Sequence, residues 1–378
     1  MNKITILALH LGTGGVENSI ASLANMLSEK YDVEIISTYK LNNKPAFYIN
    51  DKVKIKYLMT NLKPNKEELK EAIKSKNIFK IIKEGYISLK VLYLRKALMK
   101  KEIKNLDSDI IISTRDFHNE LLGKYAKKNI IKIAQEHNHH NNDIKYINKI
   151  IKSVKNIDYF MPVSKELTDF YDKKLKNTKT KCVYIPHALE EYPKNISELN
   201  KKNIVSVGRL SPEKGFMDLI EVFKLVNIKY PDWKLNIAGD GVEKEKIENK
   251  IKEYDLEESI NLCGFLNKKE LEKLYLNSSI YAMTSLTESF GLVLIEAESY
   301  GIPIVVMDSA RGALEIVNDN ENGKIIKNRD KEKMAKVICD LIQKEDERKR
   351  LGNKGREYSK EYKKEVISKK WFEFIENL

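Results

Sequence analysis

Short, almost uninterrupted apolar runs alternate with helical patterns along all 378 residues, and this alternation limits the fold more than any other feature. Runs that are apolar nearly throughout, with helices between them, indicate a parallel sheet covered on both faces. The sequence therefore predicts an α/β protein with one parallel sheet in each half. The predicted strands span residues 4–8, 33–37, 53–58, 110–113, 130–134, 159–163 and 183–185 in the first half, and 204–207, 234–238, 260–262, 280–284 and 304–306 in the second.

A polar break at residues 189–203, which contains Pro193, separates the two halves. A chain of 378 residues is long for a single hydrophobic core and suits two domains. We therefore expect domains at 1–190 and 191–360. The remaining segment, 361–378, is predicted to be helical and to pack back on the first domain through its aromatic residues.

The composition, 42% apolar and 33% charged, is that of a globular protein, and the net charge of +13 suits an anionic partner. Neither a zinc-finger spacing nor an RNP-type aromatic motif accompanies that charge, so we predict no nucleic-acid partner. Cys182, Cys263 and Cys339 match no disulfide or zinc spacing, which favours a cytoplasmic location.

Residues 63–104 form a basic helical stretch with thirteen Lys or Arg against five Glu. Phe79, Ile82, Tyr86, Leu89 and Tyr93 recur in it at helical spacing. One interpretation is docking on an anionic membrane surface. The other is a helix that buries its apolar face on the first domain and leaves its lysines in water.

A glycine turn follows the first predicted strand, at residues 12–17. Gly14 and Gly15 would let the backbone approach a ligand, and the next helix would present free N–H groups to an anion. The turn matches neither the Walker loop nor the GxGxxG fingerprint. It is equally well interpreted as a tight connection.

Two further turns carry charge. Arg209 and Lys214 follow strand 204–207, where two cations can bind a diphosphate, although they could also be plain surface cations.

Glu288 precedes a helix that starts near residues 290–291, and Glu296 lies on that helix. Carboxylates suit sugar hydroxyls, which need acceptors. Alternatively, Glu288 only complements the helix dipole and Glu296 is solvated.

Taken in order, these motifs resemble the retaining glycosyltransferases of family 4. The resemblance covers nearly the whole chain and rests on GGVE, VGRLSPEKG, AGDG at 238–241, CGF at 263–265, ESFGLVLIEAESYGIPIV and RGALEIV followed by ENG. It implies the GT-B fold, in which two facing Rossmann-like domains enclose an interdomain cleft. It also implies transfer of a hexose from a nucleotide-sugar, by front-face substitution and without a metal ion or other cofactor.

The resemblance also implies roles for individual residues. Arg209 and Lys214 would neutralise the leaving diphosphate, while Glu288 and His137 would face the donor sugar at the reaction centre. The remaining donor contacts would come from the backbone of Gly15 at the phosphate, the amides of Phe290, Gly291 and Leu292 near the sugar, Glu296 at the ribose, and Gly264 and Phe265 at the base.

Some features near these motifs have other interpretations. Residues 137–140 read HNHH, but adjacent histidines on a loop do not face one another, so we predict no metal site. Asp107-Ser108-Asp109 has the form of a metal-binding DxD motif but precedes a strand, away from the ligand side of a sheet. His118 follows that strand, and we expect it to line the acceptor pocket or to cap a helix.

The resemblance, together with the basic helix, implies transfer of a hexose to a cell-surface glycan or lipid-linked acceptor. On the same grounds UDP is the expected carrier, with GDP and ADP as alternatives. The protein would work in the cytoplasm, peripherally on the inner face of the cell membrane. A catalytically silent partner subunit and a sugar-nucleotide epimerase are the alternatives. An epimerase needs a pair of acid/base carboxylates in the first domain, and the sequence shows no clear pair.

Overall fold

The computed structural model describes residues 3–378, and their contacts divide the chain into two compact units. The first unit ends at Ile185 and also includes Ser368–Leu378, and the second unit is Pro186–Ile367. This division lies a few residues before the boundary expected at 190.

Seven parallel strands form the sheet of the first unit, in the order β3-β2-β1-β4-β5-β6-β7. Its central strands are buried on both faces, as their apolar runs predict: the successive residues Ile6 and Leu7 of the first strand and Ile111 and Ile112 of its neighbour point to opposite faces and are all 0% exposed. The elements are β1 (Lys3–Ala8), α1 (Gly15–Leu27), β2 (Asp32–Tyr39), β3 (Lys54–Met59), α2 (Lys66–Lys74), α3 (Ile78–Asn105), β4 (Ile110–Ser113), α4 (Asp116–Tyr125), β5 (Ile131–Glu136), α5 (Ile144–Val154), β6 (Tyr159–Pro162), α6 (Lys165–Leu175) and β7 (Lys181–Cys182).

Six parallel strands form the sheet of the second unit, in the order β10-β9-β8-β11-β12-β13. The last of these, at 323–326, is not among the predicted strands. The elements are β8 (Asn203–Val207), α7 (Phe216–Lys229), β9 (Lys234–Ala238), α8 (Lys244–Glu253), β10 (Ile260–Gly264), α9 (Lys268–Leu276), β11 (Ile280–Met283), α10 (Leu292–Ser299), β12 (Ile304–Met307), β13 (Gly323–Ile326), α11 (Lys331–Gln343) and α12 (Glu345–Ser359).

The last helix, α13 (Lys364–Glu376), carries the chain from the second unit into the first. Its aromatic residues pack on aromatic rings of the first unit in edge-to-face geometry. Phe372 lies 5.9 Å from Tyr31, and Phe374 lies 5.2 Å from Tyr159, measured between ring centroids. These contacts fall within the 361–378 segment that was expected to return to the first domain.

Both sheets have the Rossmann strand order. All strands are parallel, but the order in which successive strands are added to the sheet reverses at one point in each sheet, the switch point. The reversal lies between β1 and β4 in the first unit and between β8 and β11 in the second. Open parallel sheets bind ligands at the carboxyl ends of the strands beside such a point. The α/β prediction with two Rossmann-like domains is therefore confirmed, and each unit has one edge at which to look for a site.

Candidate functional site

The loops after β8 and β11 bring three of the predicted residues to one edge of the second sheet. Arg209 lies in the turn directly after β8 and is exposed. Lys214 ends a short 3-10 helix, Pro212–Lys214, that leads into α7. Glu288 lies in the loop between β11 and α10. The switch point of this sheet therefore carries two cations and one carboxylate.

Lys214 and Glu288 form an ion pair, with Nζ of the lysine 2.5 Å from Oε2 of the glutamate. The two side chains are 22% and 13% exposed, so solvent screens the pair only partly. The other carboxylate oxygen, Oε1, accepts a hydrogen bond from the backbone N–H of Ser289 at 3.2 Å. Without a ligand, each of the two charges is thus held by the other.

Backbone contacts fix the β8 loop against the β11 loop. The N–H of Leu286 donates to the carbonyl of Glu213 at 2.8 Å, and the hydroxyl of Thr284 donates to the carbonyl of Gly215 at 2.9 Å. Gly215 has a left-handed φ of 64°, and a Cβ there would lie 2.3 Å from the Thr284 carbonyl oxygen. The glycine at the end of the VGRLSPEKG motif is what lets the loops approach so closely.

Arg329, which follows β13, also holds the β11 loop. Its guanidinium donates to the carbonyl oxygens of Thr284 at 2.9 Å and Ser285 at 3.0 Å, and it also pairs with Asp218 on α7. This residue was not predicted from the sequence. No spacing signal could have found it, because Asp218 and Arg329 are 111 positions apart.

The AGDG turn after β9 supports the Arg209 turn from the other side. The N–H of Leu210 donates to the carbonyl of Asp240 at 2.9 Å. A Cβ on Gly239 would lie 1.8 Å from the carbonyl oxygen of Gly208, so no other residue fits there without moving the backbone. Gly239 of the AGDG motif therefore allows the turn after β9 to pack closely against the turn after β8.

The loop before α10 places Gly291 at the N-cap and Leu292 at the start of the helix. The Phe290 side chain is 4% exposed and meets His187 edge to face, with ring centroids 5.3 Å apart. Phe290 can therefore offer a ligand only its backbone. The N–H of Gly312, in the RGALE segment, donates to the Glu288 carbonyl at 2.9 Å and steadies this loop.

Glu296 lies one turn into α10 and is partly buried. The hydroxyl of Tyr275 donates to its Oε2 at 3.2 Å. Burial raises the pKa of the Glu296 carboxyl to about 7, and the nearby Glu190 adds to the shift. Glu296 is thus not the freely solvated helix residue of the alternative interpretation.

Gly264 is the last residue of β10, and Phe265 directly follows the strand. The Phe265 ring is 79% exposed, and nothing lies within 4 Å of where a Cβ on Gly264 would be. The carbonyl of Gly264 accepts a hydrogen bond from the N–H of Gly239 at 2.8 Å, which ties this strand end to the AGDG turn. An uncovered aromatic ring beside open backbone suits the face of a planar ligand.

In the first unit, Gly15 is the first residue of α1, and nothing lies within 4 Å of where its Cβ would be. Beside it, Glu17 is 4% exposed and accepts a hydrogen bond from Arg115 at 3.0 Å; His10 Nδ1 lies 3.6 Å from the same oxygen. Burial lowers the pKa of His10. This group at the ends of β1 and β4 was not predicted from the sequence, although Glu17 belongs to the GGVE motif.

His137 directly follows β5 and is partly buried. Its neighbour Glu136 is 7% exposed, and one carboxylate oxygen accepts hydrogen bonds from the backbone N–H and the side-chain amide of Asn138, at 2.9 and 3.2 Å. Burial raises the pKa of Glu136. These contacts hold the turn that carries His137 at the carboxyl end of the strand.

His118 does not line an open acceptor pocket, and that expectation is corrected. His118 is a residue of α4, and its side chain is 0% exposed. Its Nε2 lies 3.1 Å from the hydroxyl of Thr38 on β2. Burial, with Arg115 and Arg95 nearby, lowers the pKa of His118 to about 3. The ring is therefore a neutral part of the interior.

The histidines of the HNHH segment have local contacts instead of a common centre. His139 Nδ1 lies 2.9 Å from Oδ1 of Asn141, and the His140 ring packs on Phe170 with centroids 4.4 Å apart. Over residues 3–378, the structure gathers no group of three or more His, Cys, Asp or Glu side chains that could hold a metal ion.

The predicted residues thus divide between the units. Gly15, His118 and His137 belong to the first unit. The second unit contains the other predicted residues: Arg209, Lys214, Gly264, Phe265, Glu288, Phe290, Gly291, Leu292 and Glu296. Within the second unit, the structure brings Lys214 and Glu288 into direct contact and places Arg209 in the same β8 loop as Lys214.

This chain is similar in sequence to several known proteins and similar in fold to several solved structures. An uncharacterized glycosyltransferase of Haemophilus influenzae is 30% identical over 98% of this chain and 99% of its own length. The Campylobacter jejuni N-acetylgalactosamine-N,N'-diacetylbacillosaminyl-diphospho-undecaprenol 4-alpha-N-acetylgalactosaminyltransferase is 26% identical over 99% of this chain and 100% of its own. Among solved structures, an S. aureus TarM mutant in complex with fondaparinux, alpha-GlcNAc-glycerol and UDP aligns with a TM-score of 0.75 and 18% identity, over 99% of both chains.

The sequence profile of the family described as "Glycosyl transferases group 1" matches residues 189–358, a span that lies within the second unit and contains the Lys214–Glu288 pair. The solved structure shows that the GT-B fold is shared, and the Haemophilus influenzae relative extends the likeness in sequence to the full length of the chain. This chain belongs to the group 1 glycosyltransferases.

Proposed function

We propose that the protein transfers a hexose from a UDP-sugar, with retention of configuration, to a lipid-linked or cell-surface glycan acceptor. The observation that carries this proposal is the Lys214–Glu288 pair at the switch point of the second sheet, with Arg209 in the adjoining turn. Two cations there suit a diphosphate, and a carboxylate beside them suits a sugar hydroxyl.

In the proposed reaction, the bond between the anomeric carbon and the diphosphate oxygen breaks while an acceptor oxygen bonds to that carbon on the same face. The sugar becomes oxocarbenium-like, and negative charge grows on the leaving phosphate. Arg209 and Lys214 stabilise that charge, and such preorganised stabilisation is commonly the largest catalytic contribution. The acceptor hydroxyl gives its proton to the leaving phosphate, so no enzyme nucleophile and no metal ion is required.

Donor binding exchanges partners within the Lys214–Glu288 pair. The lysine turns toward the incoming diphosphate, and the glutamate accepts hydrogen bonds from sugar hydroxyls. The donor thus supplies a replacement for each contact that it breaks, and neither charge is left buried and unpaired. The amides of Gly291 and Leu292 add donors near the sugar, and His137 and the Gly15 amide are the contributions proposed for the first unit.

Glu296 is proposed to accept hydrogen bonds from the ribose, and the exposed Phe265 is proposed to meet the base. UDP is favoured as the carrier because solved structures of the same fold hold it. The S. aureus TarM structure contains UDP, and the HepE structure from Anabaena contains UDP and glucose.

The acceptor class is inferred from the relatives. Two Campylobacter jejuni relatives are named for acceptors linked to undecaprenol through a diphosphate, and an Erwinia amylovora relative is named for amylovoran biosynthesis. We place this protein likewise in polysaccharide biosynthesis for the cell envelope, in the cytoplasm and peripheral to the inner face of the membrane. The 63–104 segment would be the part in contact with that membrane.

Calorimetric titration of the full chain with UDP, GDP and ADP tests the donor site. We expect UDP to bind in the presence of EDTA, and Arg209→Ala to weaken binding by about tenfold or more, since a charge-assisted contact contributes about 1.5–3 kcal/mol. Lys224→Ala, on the neighbouring helix α7, is the matched control and should bind UDP normally. Equal weak binding of all three nucleotides by wild type and Arg209→Ala would contradict the assignment.

A further inference from the structure

Helix α3 exposes a stripe of large apolar side chains. Of the seventeen large apolar residues that the described part of the chain leaves exposed, eight lie between Ile73 and Tyr93. Six of them recur at helical spacing on one side of α3 and are 65–87% exposed; we call them the α3 stripe: Ile78, Phe79, Ile82, Tyr86, Leu89 and Tyr93. Contiguous exposed apolar surface of this kind marks an interaction site.

The opposite side of the same helix is already packed. Val91 is 3% exposed and clusters with Tyr39 of β2 and Met59 of β3, and Met99 and Ile103 are fully buried. The helix thus has two apolar faces, of which the sheet covers one. The packed face agrees with a helix that is buried on the first domain, and the second apolar face remains exposed.

Side-chain contacts fix the part of α3 that carries the stripe. The side chain of Asn77 caps its N-terminus by accepting from the N–H of Lys80 at 3.1 Å. The amide of Asn65, just before α2, donates to the carbonyl of Glu84 at 2.9 Å and to its carboxylate at 2.8 Å. The stripe is consequently presented by an ordered helix pair, and the contact with Asn65 occupies the carboxylate of Glu84.

Lysines surround the stripe. Lys74, Lys76, Lys80, Lys83 and Lys90 are all exposed, and the whole 63–104 segment carries a net charge of +8. Long lysine side chains can lay their methylene groups along an apolar surface and still place the ammonium group at its polar rim. A second copy of the chain would bring an equal positive charge to the same face, which disfavours self-association there.

Resting on the peripheral membrane location of the proposed function, we propose that the α3 stripe docks on a lipid bilayer that contains anionic lipids. From Ile78 to Tyr93 the helix rises about 22 Å, at about 1.5 Å per residue, so it would lie flat along the surface. The apolar side chains would enter the boundary between headgroups and acyl chains, and the lysines would pair with lipid phosphates. No helix among residues 3–378 has the length and apolarity to cross a bilayer.

A tryptophan reporter tests the proposal in the full chain. Trp233 and Trp371 are 6% and 3% exposed, so their emission forms a constant background. We expect Tyr86→Trp to shift to shorter wavelength on vesicles of phosphatidylcholine with about one third phosphatidylglycerol, and to shift little on phosphatidylcholine alone. Ile228→Trp, at a position of α7 that is 72% exposed, is the matched control and should shift on neither.

A second variant, Phe79→Ser/Ile82→Ser/Leu89→Ser, should lower vesicle affinity by about tenfold or more and leave circular dichroism unchanged. An unshifted Tyr86→Trp on anionic vesicles would overturn the proposal, as would salt-sensitive binding that the triple variant retains. Self-association that the triple variant abolishes, without vesicle binding, would assign the stripe to a second copy instead. No donor or acceptor is present, so the result stands apart from the transfer reaction.

Discussion

Lys214 and Glu288 are 74 positions apart in sequence, yet their charged atoms lie 2.5 Å apart at the edge where β8 and β11 end. Parallel strands that neighbour each other across a switch point bring their following loops together, and this is how the two motifs meet. The pair keeps a cation at the proposed diphosphate site, and each of the two charges balances the other.

Removing either partner should impair transfer. We expect Lys214→Ala and Glu288→Ala each to lower kcat/KM for donor hydrolysis by about 10²–10³-fold, because each removes a contact to charge or hydroxyls in the transition state. The double variant should lose less than the product of the two effects, since the residues interact directly. Steady-state kinetics of the four proteins measure this, and wild-type activity in either single variant would contradict the assigned roles.

Arg329 is expected to act on the site through the β11 loop. Arg329→Ala leaves the carbonyls of Thr284 and Ser285 without this donor and should raise the KM for the donor by about tenfold to 10²-fold through a misplaced Glu288. Lys331→Ala removes the neighbouring ion pairs with Glu221 and Asp218 but keeps the Arg329 guanidinium, so it is the control and should have little effect. A lower thermal midpoint with an unchanged KM would assign Arg329 to stability alone.

We expect Glu296 to give donor binding a pH dependence. Burial raises its pKa to about 7, so the fold favours the neutral carboxyl. Its contribution to the free energy of unfolding is fully present below the ordinary carboxyl pKa and is lost as the pH rises through about 7. The ionised form is the better acceptor for ribose hydroxyls, so UDP affinity should rise between about pH 6 and pH 8.

The matched variant for this titration is Glu296→Gln, which keeps the size of the side chain and removes the charge. Its UDP affinity should be lower at high pH and nearly flat across the same range. The difference between the two proteins isolates Glu296 from other titrating groups. A wild-type profile that the glutamine variant reproduces would exclude this residue as the cause.

Gly215 should not tolerate a side chain. Gly215→Ala places a methyl group 2.3 Å from the Thr284 carbonyl oxygen, at a φ of 64°. The expected cost is about 1–3 kcal/mol, or about 2–4 °C of thermal midpoint per kcal/mol in a unit of this size. Gly85→Ala, where nothing lies within 4 Å, should keep or raise the midpoint. Equal midpoints for the two variants would contradict the close packing of the loops.

The sequence predicted most of the scaffold because buried parallel strands such as 4–8 and 280–284 have strong local signals. It missed the strand at 323–326, whose four residues include a glycine and a lysine and resemble a loop. It placed the last strand of the first sheet at 183–185, and the structure pairs Lys181 and Cys182 there instead. Short edge strands depend on their neighbours more than on their own sequence.

The site was predictable where a motif lies within one loop and unpredictable where a contact spans the fold. Lys214 and Glu288 could each be identified from their own turn, whereas Arg329 and the Arg115–Glu17 contact depend on tertiary packing. His118 shows the opposite error: a histidine after a strand resembles a site residue, but the packing of this part of α4 against β2, which buries the ring, is a tertiary property. The second apolar face of α3 was likewise visible in sequence, although its exposure was not.

The most direct test of the account is incubation of the protein with a panel of UDP-, GDP- and ADP-sugars in EDTA, with measurement of released nucleoside diphosphate. We predict slow hydrolysis of one UDP-sugar, reduced by about 10²-fold or more in Lys214→Ala and Glu288→Ala. Release of no nucleoside diphosphate from any donor, together with no change in thermal midpoint on adding UDP, would contradict the donor site and favour a catalytically silent partner subunit.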